Sequence, residues 1–359
     1  MFTNTNIFII LALAVGFLMS FASTPTVIAL ANRIKAIDVP KDERRVHKKP
    51  IPLIGGLAIF YGFVISVLCF AVIEREILGI LIGSVIIVTV GVIDDMKNLS
   101  AKVKLLFQII ATAIVIYFGI DIQYVANPFA AWFGPMYINL GLWSIPITMI
   151  WIIGITNAVN LIDGLDGLAV GVSSIASVAL LSLTLISQNL NAAIVTAALA
   201  GAGFGFLPYN FNPAKIFMGD TGSTFLGFVL ACISIQGIMK MYALVSFAVP
   251  ILILGLPIFD TLFAILRRLL TGRSIMSPDR GHLHHRLLDM GFSQKQTVAI
   301  LYTLTSLLCL TAVVMALKDA LRGLILVLAV VFILIVSLAV MEPKQDKNTS
   351  SEENTNEKN

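Results

Sequence analysis

Long apolar runs alternate with short polar segments along almost the whole chain. Eleven runs reach or approach the roughly 20 residues that a helix needs to cross a bilayer. They cover about 7–31, 51–73, 77–93, 105–120, 143–159, 168–186, 191–207, 223–239, 242–266, 297–317 and 320–341. Each is predicted to be a helix, because hydrocarbon offers free backbone groups no partner and no two-residue alternation signals a barrel. The pattern therefore predicts an all-α, polytopic integral membrane protein with about eleven transmembrane helices. Residues 1–341 form one transmembrane domain. Residues 342–359 are charged and poor in apolar side chains, which predicts a disordered tail. No internal repeat is visible. The first run has no basic segment before Ile7 and ten more spans follow it, so a cleaved signal is not expected.

Composition agrees. Hydrophobic residues make up 58% of the chain, charged residues 12%, and mean hydropathy is +0.95. A soluble domain carries roughly 25% charged residues. Cys69, Cys232 and Cys309 all lie inside apolar runs, where buried structural thiols are expected. Lys and Arg fix the orientation. With the N-terminus outside and sides alternating, 20 of the 24 basic residues fall on inner segments and 4 on outer ones, and the C-terminus is cytoplasmic. The outer stretch 121–142 is an exception to the bland outer loops, with Trp132, Tyr137 and nearby Trp143 suited to an aromatic belt.

This orientation places the polar chemistry on one side. No glutamate occurs between Glu76 and Glu342, yet Asp94, Asp95, Asp163, Asp166 and Asp220 stand at the inner ends of apolar runs. Ordinary solvated loops would mix Glu with Asp. Adjacent Asp94 and Asp95 repel one another unless a cation offsets them; one carboxylate alone would be interfacial decoration. Lys97, Lys102 and Lys104 follow closely, and Lys104 is a candidate for phosphate oxygens.

The segment NAVNLIDGLDG carries Asn160, Asp163 and Asp166 at a spacing of three, which puts them on one face of a helical turn. Paired Asp-Gly steps also make ordinary turns. In PYNFNPAKIFMGDTGS, Asn210 and Asn212 offer neutral oxygens, Lys215 a cation, Phe217 a flat ring and Asp220 a carboxylate. That set suits a nucleoside diphosphate with a divalent metal. The plain alternative is a polar loop with a routine helix cap. PDRGHLHHRLLDMG gathers Arg280, His282, His284, His285 and Arg286, able to grip phosphate, or to sit against anionic lipid as a surface anchor. A zinc site lacks both HExxH and a thiolate. Asp260 lies within a span after Pro250 and Pro257, which should bend that helix. It is functional by position or paired with Arg267 or Arg268. There is no P-loop, residues 217–220 read FMGD rather than GxGD, and the DG-x-DG run lacks a following Ala-Arg.

Together, VIDD, NAVNLIDGLDGLA, PAKIFMGDTGS and PDRGHLHHRL resemble the polyprenyl-phosphate N-acetylhexosamine-1-phosphate transferase family, over about residues 31–291. The HLHH form resembles the branch that uses UDP-N-acetylglucosamine. The resemblance implies a bacterial plasma-membrane enzyme with its catalytic face in the cytoplasm. It would transfer N-acetylglucosamine-1-phosphate from UDP-GlcNAc to undecaprenyl phosphate and release UMP. This would be the first membrane step of a cell-envelope glycopolymer, wall teichoic acid being the nearest match. It implies Mg²⁺, with Mn²⁺ an acceptable substitute, held by Asn160 and Asp220. Phe217 would stack on uracil, Asp166 would bond it and Lys104 would meet phosphate. Asp94 and Asp95 would activate or orient the lipid phosphate, and residues 282–286 would bind the sugar or diphosphate. His47 and Lys49 match the family's first inner loop loosely. Membrane lipid is the surrounding partner, no nucleic acid is implied, and a homodimer is compatible with the chain. The alternatives are a phospho-N-acetylmuramoyl-pentapeptide transferase and a multi-span lipid or sugar transporter.

Overall fold

The computed structural model describes residues 4–39, 50–127, 134–135, 137–239, 248–272, 281–317 and 325. Twelve helices occur in that set: α1 Asn4–Ile34, α2 Gly56–Phe70, α3 Arg75–Lys97, α4 Ala101–Tyr117, α5 Ser144–Leu161 and α6 Leu168–Ile186, then α7 Leu190–Asn210, α8 Gly219–Ser234, α9 Ala248–Ile253, α10 Gly255–Leu270, α11 Leu283–Asp289 and α12 Gln294–Ala316. A π-helical turn, Ile235–Met239, extends α8. Six helices (α1, α3, α5, α6, α7 and α12) are long and apolar enough to cross a bilayer. The protein is a multi-pass membrane protein. The last apolar run apart from residue 325, together with the tail, His47, Lys49, Arg280 and Trp132, lies outside the described residues.

Two elements depart from the all-helical expectation. The run 51–73 does not begin as helix: β1 (Ile37–Asp38) pairs antiparallel with β2 (Ile51–Pro52), so α2 starts only at Gly56. In the outer stretch, β3 (Tyr124–Ala126) pairs with β4 (Tyr137–Asn139). Trp143, next to this ribbon, is exposed, as an interfacial ring should be.

The run 242–266 breaks at Leu254 into α9 and α10, with Pro250 and Pro257 on either side. Pro257 has no N–H for the carbonyl of Ile253. The Cys309 thiol of α12 reaches that carbonyl at 3.8 Å. Helix α8 is the centre: every residue from Thr221 to Ser234 is buried. A helix apolar all round belongs inside a bundle, and α2, α3, α5 and α6 pack against this one. Helices α1, α2 and α6 surround α7, the other largely buried helix.

Candidate active site

The site is built around the first turn of α8. Gly56 of α2 and Gly91 of α3 let those helices close on it: a Cβ would lie 2.1 Å from Gly222 N at the first and 2.5 Å from Thr221 Cα at the second. Backbone bonds then stitch the approach to α2 onto the approach to α8. Phe217 N donates to Pro52 O (2.8 Å), Gly55 N to Phe217 O (3.0 Å) and Gly56 N to Met218 O (2.9 Å). Phe217 is thereby held at the wall of the cleft.

Asp95, in the last turn of α3, caps α8 from outside. Its Oδ1 accepts from Asp220 N (2.8 Å), and its Oδ2 from Thr221 N (3.1 Å) and Thr221 Oγ1 (2.6 Å). These are the unpaired donors that every helix start exposes, and a carboxylate there also meets the positive end of the helix dipole. Gly219 has φ +69°, and any Cβ on it would strike the Asp95 carboxylate.

Asp94 points elsewhere, since adjacent residues on a helix diverge by about 100°. Its Oδ1 accepts from Leu99 N (2.6 Å) and its Oδ2 from Lys104 Nζ (2.9 Å). The same ammonium donates to Asp220 Oδ2 at 2.7 Å. Asp220 Oδ1 accepts from Asn160 Nδ2 (3.0 Å), which also donates to Ser223 Oγ (2.8 Å). Lys104 thus bridges two carboxylates at the first turn of α4. Asp94 and Asp95 thus have separate partners, Lys104 and Leu99 N for the first and the α8 donors for the second.

In front of this network lies a cleft of about 810 Å³. Its lining includes Asp95, Asn160, Asp163, Asp166, Asn210, Lys215, Phe217, Asp220 and His285. The ends of ten helices meet around it, the C-terminal ends of α1, α3, α5 and α7 with the N-terminal ends of α2, α4, α6, α8, α11 and α12. From α1 to α8 the chain direction therefore alternates, as the apolar pattern requires. Asn160 is in the last turn of α5; Asp163 and Asp166 follow in turns rather than on the continued helix, yet all three face the cleft. Asn210 ties the two Asp-rich segments together, accepting from Gly167 N (3.1 Å) and donating to Ile216 O (3.0 Å). Tyr302 Oη of α12 donates to Gly167 O (2.5 Å) and steadies the same turn.

Several expected ligands stand outside the cleft wall. Lys104 and Asp94 sit behind Asp220, drawn there by their mutual ion pair. His282 is buried, its Nδ1 2.8 Å from Asp260 Oδ2, while Leu283 N donates to Asp260 Oδ1 (2.8 Å). Asp260 therefore pairs with the histidine segment and anchors the start of α11. His284 is buried against Gly164. Burial and the neighbouring His285 push its pKa down to about 4, so it is neutral near pH 7. Arg286 is exposed and away from the cleft. Only His285 of this helical turn reaches the lining, because one short helix cannot present consecutive side chains to one side. Asp38 and Gln294 also line the cleft without having been singled out. Asp38 ends β1, and Gln294 opens α12 beside a capping box formed by Ser293 and Gln296.

The donor set is hard oxygen. The Asp163 carboxylate makes no hydrogen bond among the described residues. Burial first, then the charges of Asp220, Asp95 and Asp166, push its pKa up to about 8. The amide oxygen of Asn160 is likewise unbonded among those residues. No three His, Cys, Asp or Glu side chains there form a ready cage. Mg²⁺ does not require one, since it is commonly held by one or two carboxylates plus substrate phosphates. The acid excess and free oxygens fit such an ion.

Residues 77–238 match the model of glycosyl transferase family 4. Over 93% of this chain and 91% of the relative, the sequence is 41% identical to the probable undecaprenyl-phosphate N-acetylglucosaminyl 1-phosphate transferase of Bacillus subtilis (strain 168). It is 35% identical to the decaprenyl-phosphate N-acetylglucosaminephosphotransferase of Mycobacterium tuberculosis (strain ATCC 25618 / H37Rv), over 79% and 77% of the two chains. A phospho-N-acetylmuramoyl-pentapeptide-transferase of Clostridium beijerinckii is 30% identical over 84% and 94%.

Proposed function

The chain belongs to glycosyl transferase family 4 as a polyprenyl-phosphate sugar-phosphate transferase, and on that premise we propose that it moves N-acetylglucosamine-1-phosphate from UDP-GlcNAc to undecaprenyl phosphate, releasing UMP. The observation that carries this reading is the cleft itself. Aspartates from α3, the α5–α6 turn and α8 meet beside Phe217, Lys215 and His285 in a space of about 810 Å³, within the usual range for a small-molecule site. In this reading the site faces the cytoplasm of a bacterium, and the product enters a cell-envelope polymer such as wall teichoic acid.

The chemical problem is anion against anion. Two unit charges about 4 Å apart repel by roughly 4 kcal/mol at an effective dielectric of about 20. Mg²⁺ held by Asp163, Asp220 and the Asn160 oxygen would neutralise the donor diphosphate and the charge on the departing UMP. Lys215 and His285 bind the same diphosphate from the cleft wall. Phe217 supplies a face for the base, and Asp166 an acceptor for its edge. Lys104, bonded to Asp220 and Asp94 behind the cleft wall, would meet the lipid phosphate from that side as the group approaches the β-phosphorus. Asp94 grips Lys104 behind Asp220 and Asp95 caps the start of α8, so we assign them to holding Lys104 and Asp220 in place. A phosphate monoester has its second pKa near 6, so the acceptor is already largely dianionic at neutral pH.

The test is UMP release by membranes bearing the protein, given undecaprenyl phosphate and Mg²⁺. UDP-GlcNAc should support release and UDP-MurNAc-pentapeptide should not. The reverse preference would assign the chain to peptidoglycan precursor synthesis. Release without lipid phosphate, or none with either donor, would refute the transfer.

A further inference from the structure

At the α12 side of the cleft three polar side chains form a chain of fixed polarity. Asp166 Oδ2 accepts from Ala214 N (3.0 Å) and from Asn212 Nδ2 (2.9 Å). A carboxylate can only accept, so the Asn212 amide must present its NH₂ group to it. The second hydrogen of that NH₂ goes to Gln294 Oε1 at 2.7 Å. Gln294 is therefore held with its oxygen turned to Asn212 and its own NH₂ turned away.

Neither Gln294 Nε2 nor Asp166 Oδ1 has a hydrogen-bond partner among the described residues, and both side chains line the cleft. The backbone beneath Gln294 is pinned by the capping box that opens α12: Ser293 N donates to Gln296 Oε1 at 2.9 Å. The wall thus offers a ligand one acceptor and one donor, in an order set by the Asp166 charge two hydrogen bonds away.

We infer that Gln294 selects the nucleobase of the donor, giving a hydrogen bond to a uracil carbonyl while Asp166 accepts the neighbouring ring N–H. This rests on the reading that the donor is a uridine nucleotide. Cytosine carries an amino donor where uracil has its O4 acceptor, and a bare ring nitrogen where uracil has N3–H. It would set donor against donor at Gln294 and acceptor against acceptor at Asp166. A site built around fixed polar groups discriminates by leaving one of them unpaired.

The test uses the purified full-length protein in lipid nanodiscs with UMP and CMP as probes, read by calorimetry and by competition in the transfer assay. Wild type should bind UMP more tightly than CMP. Gln294→Glu keeps an acceptor for Asn212 but removes the outward donor. It should weaken UMP about tenfold, the order of one hydrogen bond, and narrow the UMP-to-CMP ratio by a similar factor. It should raise the donor KM with little change in kcat. Gln294→Met, which carries no charge, should narrow the ratio in the same way and serves if the glutamate variant does not fold. A wild-type ratio in a folded Gln294 variant would overturn this role while leaving the donor reading intact. Failure of the wild type to prefer UMP would overturn the donor reading, and this inference with it.

Discussion

Asp94 and Asp95 are neighbours in sequence and work in different directions. One holds Lys104; the other caps α8. Asp95→Ala leaves two backbone N–H groups and one hydroxyl unpaired in a buried place, where each such loss costs about 1–3 kcal/mol. The expected result is a lower melting temperature together with loss of transfer. Asp163 makes an opposite prediction. Its folded pKa is raised to about 8 from 3.8, so between those values the folded state keeps a proton that the unfolded state has released. Stability should fall as pH rises through that window. Melting curves from pH 5 to 9 in chelator should show the fall, Mg²⁺ should reverse it near pH 8, and Asp163→Asn should flatten both responses. His284 acts at the acid end. With a folded pKa of about 4 against 6.5, it contributes stability above pH 6.5 that is lost as pH falls toward 4. A shallower acid limb in His284→Leu would check it.

Helix α8 owes its position to close approach. Gly91 lies against the backbone of Thr221, where no flexible side chain can yield. Gly91→Leu must push α3 away from α8, separating Asp95 from the N–H groups it caps. The substitution should cost about 1–3 kcal/mol, the usual range for overpacking, and abolish transfer even though no polar group is removed. Ordered protein that retains activity would show that this contact does not place the site. Most helices were legible as apolar runs; the 168–186 run and α6 coincide. The break at Leu254 was legible from its two prolines. The late start of α2 was not, because Ile51 and Pro52 are as apolar in a strand as in a helix and only pairing with residues 37–38 distinguishes the two. The histidine turn shows the same limit. Its composition marked it as a site, but which ring faces the cleft depends on Asp260, 22 residues from His282, whose pull on that ring the sequence left open against Arg267 and Arg268.

Across the whole molecule, alternating helices bring acids far apart in sequence to one end of the bundle. The convergence was legible because each Asp stood at an inner end of a span. The division between cleft-facing and buttressing residues was not, since it depends on which neighbour each carboxylate meets. The proposed orientation predicts that cysteines placed at 98 and 212 in a cysteine-free background react from the cytoplasmic side only. Labelling from outside would reverse the topology.

Asp220 is proposed to anchor a magnesium-bound donor diphosphate at this end of the molecule. The most direct test of this role is lipid-linked GlcNAc-1-phosphate formation by purified wild type and Asp220→Ala across a Mg²⁺ titration, with folding followed in parallel. Wild type should give Mg²⁺-dependent product and the folded variant none at any Mg²⁺ concentration. Product from Asp220→Ala, or undiminished wild-type turnover in chelator, would contradict it.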